Sequence, residues 1–226
     1  MENENKQEVQ VGKMPVISVQ HACKSFGKQQ VLKDVSVDCM EGSITGIVGH
    51  NGSGKTVLFK SICGLLYLDS GHIYIRGREM HKDLDMLNEA GVIIEEPAFL
   101  GNYSGYKNLD YLYRLRNPKN PGHIEAVLEK VGLDPKSRKH VKNYSMGMRQ
   151  RLAIAQAIME DQKILILDEP MNGLDKHGVA EMRALFKSLA TDGRTILLAS
   201  HNIQDIETLC DTVCEMDAGV MTMVKA

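Results

Sequence analysis

The stretch GIVGHNGSGKTVLF, residues 46–59, sets four glycines, a lysine and a threonine between two apolar runs. On its left, residues 43–48 read as a short buried strand; on its right, VLFKSICGLL spaces its apolar side chains as a helix that ends before Asp69-Ser70-Gly71. Within this strand, loop and helix, Gly49 to Thr56 spells G-x-x-x-x-G-K-T, a pattern that carries chemistry only in such a context. Its glycines let the backbone curl until successive N–H groups point inward at phosphate oxygens, which side chains would block. The candidate phosphate-binding residues are therefore Gly49, His50, Asn51, Gly52, Ser53, Gly54, Lys55 and Thr56, with His50 read as a spacer. Lys55 supplies positive charge to the β and γ phosphates, Thr56 a hydroxyl to Mg²⁺, and the helix its positive N-terminal end.

The rest of the chain is consistent with that centre. Short apolar strands recur at residues 91–94, 163–167 and 195–199, and GVAEMRALFKSLA reads as a helix between the last two. Alternation of this kind predicts an α/β fold with a mainly parallel sheet and helices on both faces. From Val16 to Cys39, β-branched runs broken at Phe26-Gly27 and Lys33-Asp34 predict an antiparallel β edge, and residues 212–216 and 220–224 a closing hairpin. Between about Glu96 and Tyr144 the strand signals give way to short helical segments at 108–116 and 123–131, which predicts a helical subdomain at about 96–148 inserted in one α/β domain spanning 15–226. Residues 1–14, rich in Glu, Asn, Gln and Lys, read as a disordered leader.

Composition excludes several classes. A net charge of −2 over 226 residues offers no basic field for nucleic acid. No apolar run approaches the roughly 20 residues needed to span a bilayer, so the expected compartment is the cytoplasm. Five cysteines with no C-x-x-C pair read as buried free thiols, with Cys210 and Cys214 on one helix face.

KILILDEP, residues 163–170, is an apolar strand that ends in two adjacent carboxylates which strand geometry points apart. One of them can serve Mg²⁺ while the other polarises a water attacking the γ-phosphate. YSMGMRQRLAIAQAIM then places Ser145 and Gly147 at the start of a long helix, a second anion site. Two phosphate sites for one nucleotide are reconciled by a head-to-tail homodimer in which each nucleotide lies between one chain's glycine loop and the other's Ser145 helix.

In combination these residues resemble the nucleotide-binding subunit of an ATP-binding cassette (ABC) transporter, from about Val16 onward. The motifs are Phe26, GHNGSGKT, IIEEP, YSMGM, ILILDEP, NGLD and ASHN. The resemblance implies a P-loop ABC cassette binding ATP and Mg²⁺: Phe26 would stack on adenine, Asp168 would serve the metal, and Glu169 would be the general base. His201 would bond the γ-phosphate, Ser145, Met146 and Gly147 would face the partner's nucleotide, and Asn172 to Asp175 would contact the opposite subunit. Glu95 stands where most members have glutamine; a carboxylate there ligates Mg²⁺ directly but lacks the amide donor. Met146 replaces a glycine and Met148 a glutamine of the usual signature. Glu95 and the Y-S-x-G-M form resemble the bacitracin-resistance and lantibiotic-immunity branch.

The expectation is an ATPase subunit that sits on the inner face of the membrane and drives a separate permease docked near Glu95 to Tyr106, exporting a peptide or amphipathic antibiotic. The alternative is a soluble, non-transport ABC ATPase that regulates or remodels a macromolecule. A cassette that binds without hydrolysing is opposed by Glu169 and His201.

Overall fold

The computed structural model of the protein describes residues 14–96 and 98–225, the side chains of 204 and 205 excepted. The expected leader lies, but for Met14, outside the described residues. The chain runs β1 (Ile17–Phe26), β2 (Gln29–Cys39), β3 (Ile44–Val48), α1 (Lys55–Ile62), β4 (Ser70–Ile75), β5 (Arg78–Glu79) and β6 (Ala90–Ile93). It continues through α2 (Gly105–Tyr113), α3 (Pro121–Lys130), a 3-10 turn at Val141–Asn143, α4 (Met146–Ile158), β7 (Ile164–Asp168) and α5 (Lys176–Thr191). It closes with β8 (Thr195–Ser200), α6 (Ile203–Leu209), β9 (Thr212–Asp217) and β10 (Val220–Lys225).

Two sheets form. The larger has the order β10-β9-β3-β8-β7-β6, parallel throughout except for the β9–β10 hairpin. The smaller, β2-β1-β4-β5, is antiparallel. Strands buried on both faces read as near-continuous apolar runs, and β3, β7 and β8 supply them, interrupted at Thr45 and, at the strand ends, by Asp168, Thr195 and Ser200. Ile44, Val48, Leu165, Leu167, Ile196 and Leu198 pack into one core with the helices α2 to α6. Their alternates Ile47, Ile164, Ile166 and Leu197 pack into a second core with α1 and the antiparallel sheet.

Local chemistry sets the helix starts. Ser104, Asn120, Ser145 and Asp175 cap α2, α3, α4 and α5, each accepting a hydrogen bond from a backbone N–H three residues on. Helix α1 is the exception: Gly54, at φ 115°, offers its first turn no side-chain cap. Those amides stay available to a ligand.

Three details differ from the sequence-based expectation. β2 runs unbroken through Lys33-Asp34, because Asp34 adopts φ 59° and is absorbed as a bulge opposite Cys23. Helix α1 stops at Ile62, short of Leu66, where Gly64 turns left-handed at φ 77° and its N–H reaches Ser61 O. Cys210 and Cys214 do not share a helix: α6 ends at Leu209, and Thr212 and Val213 start β9 beside β3.

The cysteines are free, and four of the five are buried. Burial pushes the Cys39, Cys63 and Cys210 thiols up from 9.0 to about 12. A thiol whose pKa is raised on folding stabilises the fold fully below its unfolded pKa and loses that contribution as pH rises toward the folded value. Stability is therefore expected to fall between pH 9 and 12 by about 1 kcal/mol per pH unit for each such thiol. Urea midpoints in reductant across that range, against a variant with Cys39, Cys63 and Cys210 replaced by alanine, check this; an equally steep loss in the variant refutes it.

Candidate functional site

The parallel register aligns the carboxyl ends of the central strands. Val48 pairs with Ser200, Asp168 with Ala199, and Ile93 with Leu167. The segments that follow β3, β7, β8 and β6 therefore emerge along one edge, and these are the glycine loop, Glu169, His201 and Glu95. Ligands of open α/β sheets bind beyond this edge.

In the loop, Gly49 N–H donates to Ser200 O at 3.3 Å and Ser53 N–H to His50 O at 3.2 Å. Gly52 and Gly54 adopt φ 83° and 115°, a backbone that favours glycine. Lys55 is buried, and its Nζ donates inward to Gly49 O at 2.6 Å and His50 O at 3.1 Å. Among the described residues its charge is thus held within the loop by carbonyls alone. Thr56 Oγ1 donates to Asp168 Oδ2 at 2.6 Å, which joins the start of α1 to the end of β7. The buried Ser53 Oγ has no partner among the described residues. Asn51, Gly52 and Gly54 line one cleft together with Lys55, Thr56, Asp168 and Glu169, whereas the His50 side chain is exposed.

Glu169 adopts φ 51°, an uncommon backbone for a non-glycine residue and a form of strain that gathers at functional sites. Glu169 N–H donates to Ala199 O at 2.9 Å. One carboxylate oxygen, Oε2, meets His201 Nδ1 at 2.9 Å, while the buried Oε1 has no partner among the described residues. A ring nitrogen that faces a carboxylate carries the proton. His201 Nε2 is then left as the outward nitrogen of a half-exposed ring.

Other expected residues lie around this group. Ser145 caps α4 through Met148 N–H at 3.2 Å. Met146, half exposed, covers Gly173 so closely that a Cβ there would stand 2.6 Å from Met146 Cγ, and Gly147 lies against Gly173 O. Asp175 accepts from Gly178 N–H at 2.8 Å. Met146 lines a second cleft with Glu95, Thr56, Asp168 and Glu169, but Ser145 and Gly147 do not line it. The Glu95 carboxylate is taken by Lys60 Nζ at 2.6 Å, in a pair whose acid is largely exposed. Phe26 stands half exposed at the end of β1, with Lys24 Nζ 5.7 Å from its ring centre. That lysine also bonds Asp69 at 2.9 Å and, with the Ser25 N–H, holds the Asp69 carboxyl below its usual range.

Gln150 escaped the sequence reading. Its Nε2 donates to Glu169 O at 3.3 Å and Pro170 O at 3.0 Å, bracing the strained turn from α4. The only sequence signal was its place six residues into the helix-start motif. Val31, which lines the cleft from β2, carried no signal at all.

A capless helix after a glycine loop on a parallel strand, with a carboxylate bonded to the threonine of that loop, defines a P-loop nucleotide-binding protein. Residues 32–172 match the family model described as ABC transporter. An uncharacterized ABC transporter ATP-binding protein of Bacillus subtilis is 41% identical over 91% of this chain and 67% of its own length. A bacitracin transport ATP-binding protein of Enterococcus faecalis is 37% identical over 90% and 67%. A lantibiotic transport ATP-binding protein of Streptococcus pyogenes is 36% identical over 93% and 90%. A solved ATP-binding subunit of an ABC transporter superposes with a TM-score of 0.80 at 22% identity, covering 92% of this chain and 90% of that one, and supports the fold. The chain belongs to the ABC transporter family, as an ATP-binding and ATP-hydrolysing subunit.

Replacing Gln150 by leucine removes both donors from the Glu169 turn. Steady-state ATPase assays are expected to find kcat lowered about tenfold with KM changed less than twofold, the signature of a misplaced group rather than of lost binding.

Proposed function

We propose that this subunit hydrolyses ATP between two copies of the chain and so drives a separate membrane permease. One observation carries the reading: the aligned strand ends bring the Lys55 loop, the Thr56–Asp168 bond and the Glu169–His201 pair to one edge. The phosphates fit this edge because, among the described residues, Lys55 is satisfied only by loop carbonyls and the α1 amides have no side-chain cap.

Lys55 Nζ exchanges those carbonyls for β- and γ-phosphate oxygens, and the first α1 amides bind the same groups. Mg²⁺ fits the Thr56 and Asp168 oxygens, since it is commonly held by one or two protein groups plus phosphates, and when bound it neutralises charge on the transferring phosphoryl group. Glu95 joins it only by leaving Lys60. Glu169 Oε1, buried and unpartnered, orients the attacking water and accepts its proton. Through Nδ1–H His201 keeps Glu169 aimed, and with a second proton on Nε2 the ring donates to a γ-phosphate oxygen. Phe26 stacks on adenine.

The exposed Ser145 and the half-buried Gly147 of the second copy close the site from across the dimer, with its Asn172 to Asp175 loop packed beside them. Residues 96–148 act as a helical subdomain, and the permease docks near Glu95 to Tyr106, where Leu100 and Tyr103 are exposed. No described helix is long and apolar enough to cross a membrane. In this reading the subunit works at the cytoplasmic face through that permease. Relatives named for bacitracin and lantibiotic transport favour export of a peptide or amphipathic antibiotic, and favour transport over a remodelling ATPase.

Glu169→Gln is expected to lower the ATPase rate at least about 100-fold. By light scattering it is expected to be a monomer without nucleotide and a dimer with Mg-ATP. A monomer under both conditions overturns closure by two copies alone; an unchanged rate overturns the assignment of the base.

A further inference from the structure

The glycine loop is held from behind by a segment far away in sequence. The β9–β10 turn, residues 217–219, has Ala218 at φ 45° and Gly219 at φ 85°. Gly219 N–H donates to Ser53 O, inside the loop, at 3.0 Å. Lys33 N–H, on β2, donates to Gly219 O at 2.8 Å. One peptide group pair thus spans the larger sheet, the loop and the antiparallel sheet.

The packing is tight enough to transmit movement. A Cβ on Gly219 would stand 2.5 Å from Val31 O, and one on Gly54 would stand 2.8 Å from the same oxygen and 3.0 Å from Met216 Cε. A Cβ on Gly49 would run into Met216 O. The loop therefore lies between Met216, at the end of β9, and Val31, on β2, with Gly219 fastening the two. β2 is the hairpin partner of β1, which ends in Phe26.

We propose that the Asp217–Gly219 turn is a positioning element for nucleotide binding. It fixes the curvature of the phosphate loop and couples that loop to the β1–β2 arm that carries Phe26. The proposal rests on the reading that residues 49–56 hold phosphates. Gly219 touches no substrate; it acts through Ser53 and Val31.

The test compares two glycines of the same backbone class. Gly193, between α5 and β8, has φ 86°, and a Cβ added there would meet nothing within 4 Å. Asparagine tolerates positive φ, so Gly219→Asn adds a contact with Val31 O while Gly193→Asn adds none. The readouts are the Kd of a fluorescent ADP analogue, the ATPase KM and kcat, and the melting temperature. Gly219→Asn is expected to raise Kd and KM about five- to tenfold, the weight of one or two lost hydrogen bonds, with kcat changed less than twofold; Gly193→Asn is expected to leave Kd unchanged. A Kd within twofold of wild type in Gly219→Asn, or equal rises in both variants, overturns the proposal. Should Gly219→Asn not fold, Met216→Leu, a near volume-conserving change, decides: a Kd raised about threefold at unchanged kcat supports the clamp, and an unchanged Kd refutes it. Lys55→Ala separates the two layers, because wild-type Kd in that variant refutes the phosphate reading of the loop itself.

Discussion

The parallel register of β3, β8, β7 and β6 is the constraint on which the site depends. A slip of one residue in any of these strands would turn its side chains to the opposite face, and the two cores on either side of the sheet resist that. Ile166 and Leu197 enter one core while Leu165, Leu167 and Leu198 enter the other, all fully buried. The same pairing that fills those cores sets Val48 beside Ser200 and Asp168 beside Ala199. Catalytic geometry is therefore inherited from hydrophobic packing. The polar bonds at the strand ends, Gly49 N–H to Ser200 O and Glu169 N–H to Ala199 O, extend the pairing by one step into the loops.

Beyond the last paired residue the chain must hold groups that water or a ligand would otherwise satisfy. Lys55 resolves this by bonding carbonyls of its own loop, and Thr56 by bonding Asp168. Glu169 resolves it only in part. Its backbone is strained at φ 51° and one buried carboxylate oxygen has no partner among the described residues, a combination that costs stability and that persists because β8, Gln150 and His201 all hold the residue in place. An oxygen with an unmet hydrogen bond on a firmly held residue suits the role proposed for Glu169, which is to accept from an incoming water.

Much of this was legible in the sequence, for a physical reason. Gly49 to Thr56, the ILILDEP strand and the ASH segment each carry their meaning locally: an apolar run makes a buried strand, and the residues directly after it emerge at its carboxyl end. The parallel core, the helix-start serine at 145 and the closing hairpin were readable in the same way. Lys60 meeting Glu95, Gln150 reaching the Glu169 carbonyl and Gly219 fastening Ser53 were not. Each joins residues far apart in sequence, and the last is made by backbone atoms that every residue type possesses. The bulge at Asp34 and the early end of α1 at Ile62 were missed because single left-handed residues decide them, and a polar side chain such as Asp34 fits a turn or a bulge equally well.

The departures at the signature acquire a physical meaning from their surroundings. With glycine at 146, the start of α4 would present bare backbone and the 172–175 loop would be free to move beside it. Met146 instead lies across Gly173, whose own lack of a side chain makes the contact possible. The helix start and the loop are thereby joined by dispersion contacts of a flexible thioether, which adapts its shape more readily than a branched side chain would. Ser145 still caps the helix and Gly147 still lies against Gly173 O, so the backbone that would meet a nucleotide is retained while its neighbourhood is stiffened. In the two-copy site proposed above, the Ser145 helix and the 172–175 loop would approach the opposite chain together. Joining them beforehand lowers the conformational entropy lost on closure, which offsets the apolar, half-exposed surface that Met146 leaves in water when the copies are apart.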